Sequence, residues 1–136
     1  MSSPRPVGKV LFVCDDVAAD PLSHKPSILN IWEVVRPPDG AAFPFVLGKV
    51  VVVAQMRGGL GDIAFSVRIA RADEDEDLRE VLITVRFPDR LTARLVVVRF
   101  VDVAFPAPGG YLIQLHCEGD FVDDQVIRVL PPRGGQ

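Results

Sequence analysis

The chain has 136 residues, 49% hydrophobic and 24% charged, which describes one folded domain whose core needs no disulfide or metal staple. A net charge of −3 excludes the basic face that general nucleic-acid binding requires. No run nears the ~18 apolar residues of a membrane helix, and residues 1–10 lack the apolar segment of a secretory signal, so the expectation is a cytoplasmic protein, off the membrane, with reduced cysteines.

A flexible start at residues 1–6 precedes the first predicted strand, Lys9–Asp15, and a second follows at Ile28–Val35. The third, Gly48–Arg57, ends in Arg57-Gly58-Gly59-Leu60-Gly61-Asp62, whose glycines permit positive φ in a turn. With no following helix or lysine, this is not a phosphate cradle. In Asp62–Arg71, Ile63, Phe65, Val67 and Ile69 face one way and Ser66 and Arg68 the other. In Arg79–Phe87, Val81, Ile83, Val85 and Phe87 oppose Thr84 and Arg86. Such period-two alternation marks antiparallel strands with one wet face. A tight turn at Phe87-Pro88-Asp89-Arg90 leads to strands at Leu91–Phe100, Tyr111–Glu118 and Gln125–Leu130, with Val101–Phe105 extended and residues 131–136 a frayed tail. Helical spacing is absent. The predicted fold is one all-β domain over residues 1–136, an antiparallel two-sheet β-sandwich, immunoglobulin-like, of about 7–9 strands; a closed barrel is the alternative. Trp32, Phe65, Ile83 and Tyr111 are the expected core.

Two strands refuse to alternate. One carries Val50, Val52, Ala54 and Met56 on one face and Val51 and Val53 on the other; the other carries Leu95, Val97 and Val101 opposite Val96, Val98 and Phe100. A sandwich strand buries one face, so the second apolar face needs a cover. The expectation is a homodimer packing these faces together, or a loop such as residues 36–44 folding across.

Three segments carry a family resemblance: Cys14-Asp15-Asp16 followed by Lys25 and an apolar strand through Trp32; Phe43 to Ile69, with Pro44, Leu47 and Lys49; and Phe105 to Val129, with Pro108, Gly109 and Tyr111. In this order they resemble a bacterial family of small proteins classed as a domain of unknown function. The resemblance implies a β-sandwich and carries no activity. The first loop, Ala18 to Ser27, departs from the family pattern, which puts any role of that loop in doubt.

The chemistry-bearing residues are few. Cys14, Asp15, Asp16 and His24 lack the paired spacing of a zinc site. Cys14 reads as a small buried hydrophobe, while Asp15 and Asp16 end the strand and bond loop amides, with Lys25 pairing one of them. Asp15, Asp16 and Lys25 are the candidate ligand-binding residues. The order Cys14, Trp32, Cys117 resembles that of an immunoglobulin disulfide, but Cys117 lies six residues after Tyr111 rather than two, so no bridge is expected. Tyr111 is expected to bury its ring and tie its hydroxyl to backbone. Asp73–Asp77 reads as a solvated hairpin tip, without the glycine that would wrap it round calcium. Neighbours His116 and Cys117 face opposite ways on a strand. Arg68, Arg86, Arg94 and Arg99 read as one solvated or ion-paired sheet face.

No catalytic residue, metal site or cofactor is therefore assigned. The expected function is a non-enzymatic binding or assembly module with an unidentified protein partner. The alternatives are a small enzyme using the Cys14–Lys25 loop and a calcium-dependent module using Asp73–Asp77.

Overall fold

The computed structural model describes residues 6–74 and 76–133. Most of the two expected flexible ends lies outside them, although Pro131 is held by Arg36, whose Nη1 donates to its carbonyl at 2.9 Å. Nine strands follow in order: β1 (Val7–Ala19), β2 (Pro26–Ile31), β3 (Val34–Val35), β4 (Phe45–Arg57), β5 (Gly61–Arg71), β6 (Asp77–Phe87), β7 (Arg94–Phe105), β8 (Gly109–Cys117) and β9 (Asp120–Val129). They form a four-stranded sheet in the order β2-β1-β4-β7 and a five-stranded sheet in the order β3-β9-β8-β5-β6. Neighbours are antiparallel except β3, which runs parallel to β9.

One core lies between the sheets. Val50, Val52, Ala54 and Met56 of β4 meet Ile63, Phe65, Val67 and Ile69 of β5 and Tyr111, Ile113 and Leu115 of β8. Phe65 and Tyr111 are each 1% exposed, as expected for core. Trp32 and Ile83 differ: both pack against the core from its margin and stay half-buried, because the short β3 and the terminal β6 leave them at sheet edges.

The expected strand Ile28–Val35 is two pieces in two sheets, split at Trp32-Glu33. Val101–Phe105, expected to be extended, continues β7 from the predicted strand end at Phe100 to Phe105. The face that β7 turns to the core changes from Val96, Val98 and Phe100 to Val103 and Phe105, and in β4 it changes from Phe45 and Leu47 to Val50 and Val52. Both slips occur where Asp102 takes a left-handed backbone (φ 53°), between the facing pairs Lys49–Val101 and Leu47–Val103. Aspartate tolerates that region better than most residues.

β1 carries the largest departure. It pairs with β4 only as far as Cys14, opposite Val51, and from Cys14 onward it pairs with β2. At the changeover Asn30 takes φ 54° across from Asp15. The strand therefore bends away from the edge, and the β1–β2 hairpin lies over the outer face of the four-stranded sheet. Val17 and Ile28 of the hairpin, with Leu95 and Val97 of β7, close over Cys14, Val51 and Val53. Val51 is 0% and Val53 1% exposed within a single chain. Within one chain the hairpin, rather than residues 36–44, thus covers Val51 and Val53, so burying these two does not require a second copy.

Candidate functional site

The Cys14-Asp15-Asp16 bend builds the site. Cys14 is fully buried beneath the hairpin, and its Sγ lies 3.5 Å from the Asp16 carbonyl. Burial, then the neighbouring Asp15 charge, pushes its thiol pKa up, the opposite of what a thiolate nucleophile needs. Asp16 turns onto the sheet. Lys49 Nζ of β4 donates to its Oδ2 at 2.6 Å and Arg99 Nε of β7 to its Oδ1 at 3.3 Å. Arg99 Nη2 also reaches the Val17 carbonyl at 3.1 Å. One carboxylate of the hairpin thereby latches to both sheet strands beneath it. The Lys49 bond, followed by the Val17 N–H, holds the Asp16 carboxyl at about 2.

A group whose pKa is depressed in the fold stabilises it above the unfolded pKa, and that contribution fades as pH falls toward the folded value. Asp16 should therefore destabilise the protein on acidification from the ordinary aspartate range down to about 2. Thermal melts across this range should show a shallower acid-side slope for Asp16→Asn than for the parent. Equal slopes would mean that the latch does not form in solution.

Asp15 points the other way, accepting from Asn30 Nδ2 at 3.0 Å. Asp15 and Asn30, with Ile31, Trp32, Val34, Val35, Leu47 and Lys49, line a cleft of about 260 Å³ between the hairpin base and the margin of the core. Ile31 and Val34 are 52% and 48% exposed at its mouth. The volume is below the ~300 Å³ at which drug-sized pockets begin and suits one large side chain. A wider cleft of about 370 Å³ opens over β5 and β6. Glu118, its one ionisable lining group among the described residues, is occupied by the Ala64 N–H at 3.1 Å.

Two of the three expected ligand-binding residues therefore flank one place, and the third does not. Lys25 sits in the hairpin turn, its N–H on Ser23 Oγ and its carbonyl taking the Asp20 N–H at 2.9 Å. Among the described residues its ammonium pairs with neither aspartate; Lys49 and Arg99 take that role. Their signal was present in sequence: each is a charge in register with the outward apolar residues Val51, Val53, Leu95 and Val97, so whatever covers that face must bring an acid.

The remaining candidates disperse. His24 lies in the turn beyond the Ala19–Pro26 pair, five residues along β1 from Cys14 and roughly 17 Å away at strand rise. Cys14 and Cys117 are not bridged; Cys117 faces the inter-sheet core and Cys14 the outer cluster, so the sheet separates them. In the acidic run, Asp75 lies outside the described residues. Asp73 and Glu74 approach Arg71 at 3.5 and 3.6 Å, and Asp77 approaches Arg68 at 3.3 Å. The four arginines do not share a face. Arg68 and Arg86 lie on the five-stranded sheet and pair with Asp77 and Asp62, Arg99 is in the latch, and Arg94 precedes the core-facing Val96 on the other side of β7. Tyr111 does what was expected, its hydroxyl donating to the Ala107 carbonyl at 2.5 Å.

The chain is thus an all-β domain of two sheets packed on a common core, with its N-terminal hairpin latched over one outer face. It belongs to DUF6941, a family of unknown function, whose model matches residues 9–130. No curated protein matches it.

Proposed function

We propose that this protein is a non-enzymatic binding module, an immunoglobulin-like sandwich that takes one apolar side chain of a protein partner into the Trp32 cleft. The immunoglobulin-like assignment rests on order and on one tyrosine. The pair β7-β4 faces β6-β5-β8-β9, with β1 on the free side of β4. Tyr111 opens β8 and bonds back to the backbone four residues upstream, the corner typical of such sandwiches.

The single observation behind the binding reading is the cleft itself. The chain's one tryptophan stays half-exposed beside Ile31 and Val34, while the charges on the rim are matched to one another. An apolar recess inside a satisfied polar rim is how interface anchors are seated. The buried, protonated Cys14 and the distance to His24 weigh against the enzymatic alternative. Two unbridged cysteines suit a cytoplasmic setting.

A displayed library of random peptides, selected on the parent protein, tests this. Enriched peptides should share an apolar anchor, shift the Trp32 emission, and lose binding to Ile31→Glu while keeping it to Leu22→Glu in the exposed hairpin turn. No enrichment, or enrichment that Ile31→Glu leaves intact, overturns the reading.

A further inference from the structure

We infer that the outer edge of β6 is a self-association surface, on which a second copy adds its own β6 antiparallel and joins two five-stranded sheets into one. This surface is separate from the Trp32 cleft and does not depend on its proposed role.

β6 is the terminal strand of its sheet, eleven residues long, and among the described residues no strand pairs with its outer side. Exposed edges of that length are usually blunted. Val81 and Ile83 point at the core, yet both remain half-exposed, whereas Ile63, Phe65, Val67 and Ile69 on neighbouring β5 are at most 4% exposed. On the outer face Leu82 is 77% exposed. Both faces of this edge lack the cover that one more strand supplies.

The sequence of β6 is complementary to itself. A two-fold interface must place residue i against j and j against i. Centring the axis on Ile83 puts Glu80 opposite Arg86 of the second copy, and the same pair recurs on the other side of the axis. Leu82 then faces Thr84 on the outer surface, while Val81 faces Val85 and Ile83 faces itself toward the core. Moving the axis to Leu82 sets Glu80 against Thr84 and Arg86 against Leu78; moving it to Thr84 sets Arg86 against Leu82. Of these three registers, only the one centred on Ile83 sets Glu80 against Arg86. Glu80 has no ion pair among the described residues, and Arg86, touching Asp62 at 3.2 Å, keeps a side chain that is 74% exposed. The other edges are less suited. β2 has six residues and the Asn30 kink. β7 is kinked at Asp102, and its Val101 carbonyl is taken by Arg79.

Size exclusion with light scattering should give a particle of twice 14.9 kDa. Glu80→Arg and Arg86→Glu, both at exposed positions, should each weaken that dimer by about tenfold or more, because each sets like charges opposite one another twice. An equimolar mixture of the two variants should recover it as a heterodimer, since every facing pair is again arginine against glutamate. A wild-type monomer at the highest attainable concentration, a dimer indifferent to both reversals, or a mixture no tighter than its separate components would overturn the proposal.

Discussion

Val51→Lys should destabilise the protein by on the order of 4 kcal/mol, with Val51→Ala costing about half as much. Val51 is 0% exposed beneath the hairpin, walled by Cys14, Val53 and the packed Val17, Ile28, Leu95 and Val97. An ammonium placed there meets no free carboxylate, because Asp16, the acid of the covering strand, already binds Lys49 and Arg99. The charge must be desolvated or the hairpin must lift, and lifting it uncovers the whole cluster. Alanine loses only methyl contacts and leaves a small void. Urea denaturation of the three proteins measures both costs. A midpoint for Val51→Lys equal to that of the parent would show that the hairpin does not seat on this face.

That substitution also marks where sequence reasoning stops. The two-faced apolar pattern of β4 and β7 was legible, and so was its consequence, that something must cover Val51, Val53, Leu95 and Val97. The identity of the cover was not. Alternation reports which way each side chain points along a straight strand. It is blind to a strand that changes partner midway, as β1 does at Cys14. The same blindness left Val101–Phe105 as an extended run outside the strand expected to end at Phe100. A left-handed residue resets the face without leaving a turn signal, since Asp102 and Asn30 are ordinary residues in strand-like surroundings. Strands with no left-handed residue in their interior, such as β5 and β6, were placed to within two residues.

The candidate site was legible to a similar depth. Adjacent aspartates after a buried cysteine marked the right place but were read as the end of a strand, whereas β1 runs on to Ala19. Their partners lie 33 and 83 residues away from Asp16, beyond any local pattern, so the nearby Lys25 was the natural but mistaken choice. Trp32 was assigned to the core on hydrophobicity alone. Its place at the end of a six-residue strand and ahead of a two-residue one leaves it at the core margin, which turns a packing residue into the wall of a cleft.

Tyr111 separates two contributions that sequence could name but not apportion. Its ring is 1% exposed and meets Phe105 edge-on, the centroids 4.9 Å apart. Its hydroxyl donates to the Ala107 carbonyl at 2.5 Å and accepts the Ala107 N–H at 3.3 Å. Residue 107 lies in the crossing from β7 in one sheet to β8 in the other, so the ring and the hydroxyl together fix where the chain changes layer. Tyr111→Phe keeps the ring and leaves both Ala107 groups without that partner, at a cost of about 1–2 kcal/mol. Tyr111→Ala also removes the ring, for a total of about 3–5 kcal/mol. Burial raises the phenol's pKa above its ordinary value, so the unfolded chain ionises first. Its contribution is complete below about pH 10 and is lost as pH rises from there through the folded value. The parent should therefore lose stability on the alkaline side more steeply than Tyr111→Phe. Denaturation curves at neutral pH and above pH 10 test both parts. A phenylalanine variant as stable as the parent at neutral pH would mean that water replaces the hydroxyl at Ala107, leaving the corner held by packing alone.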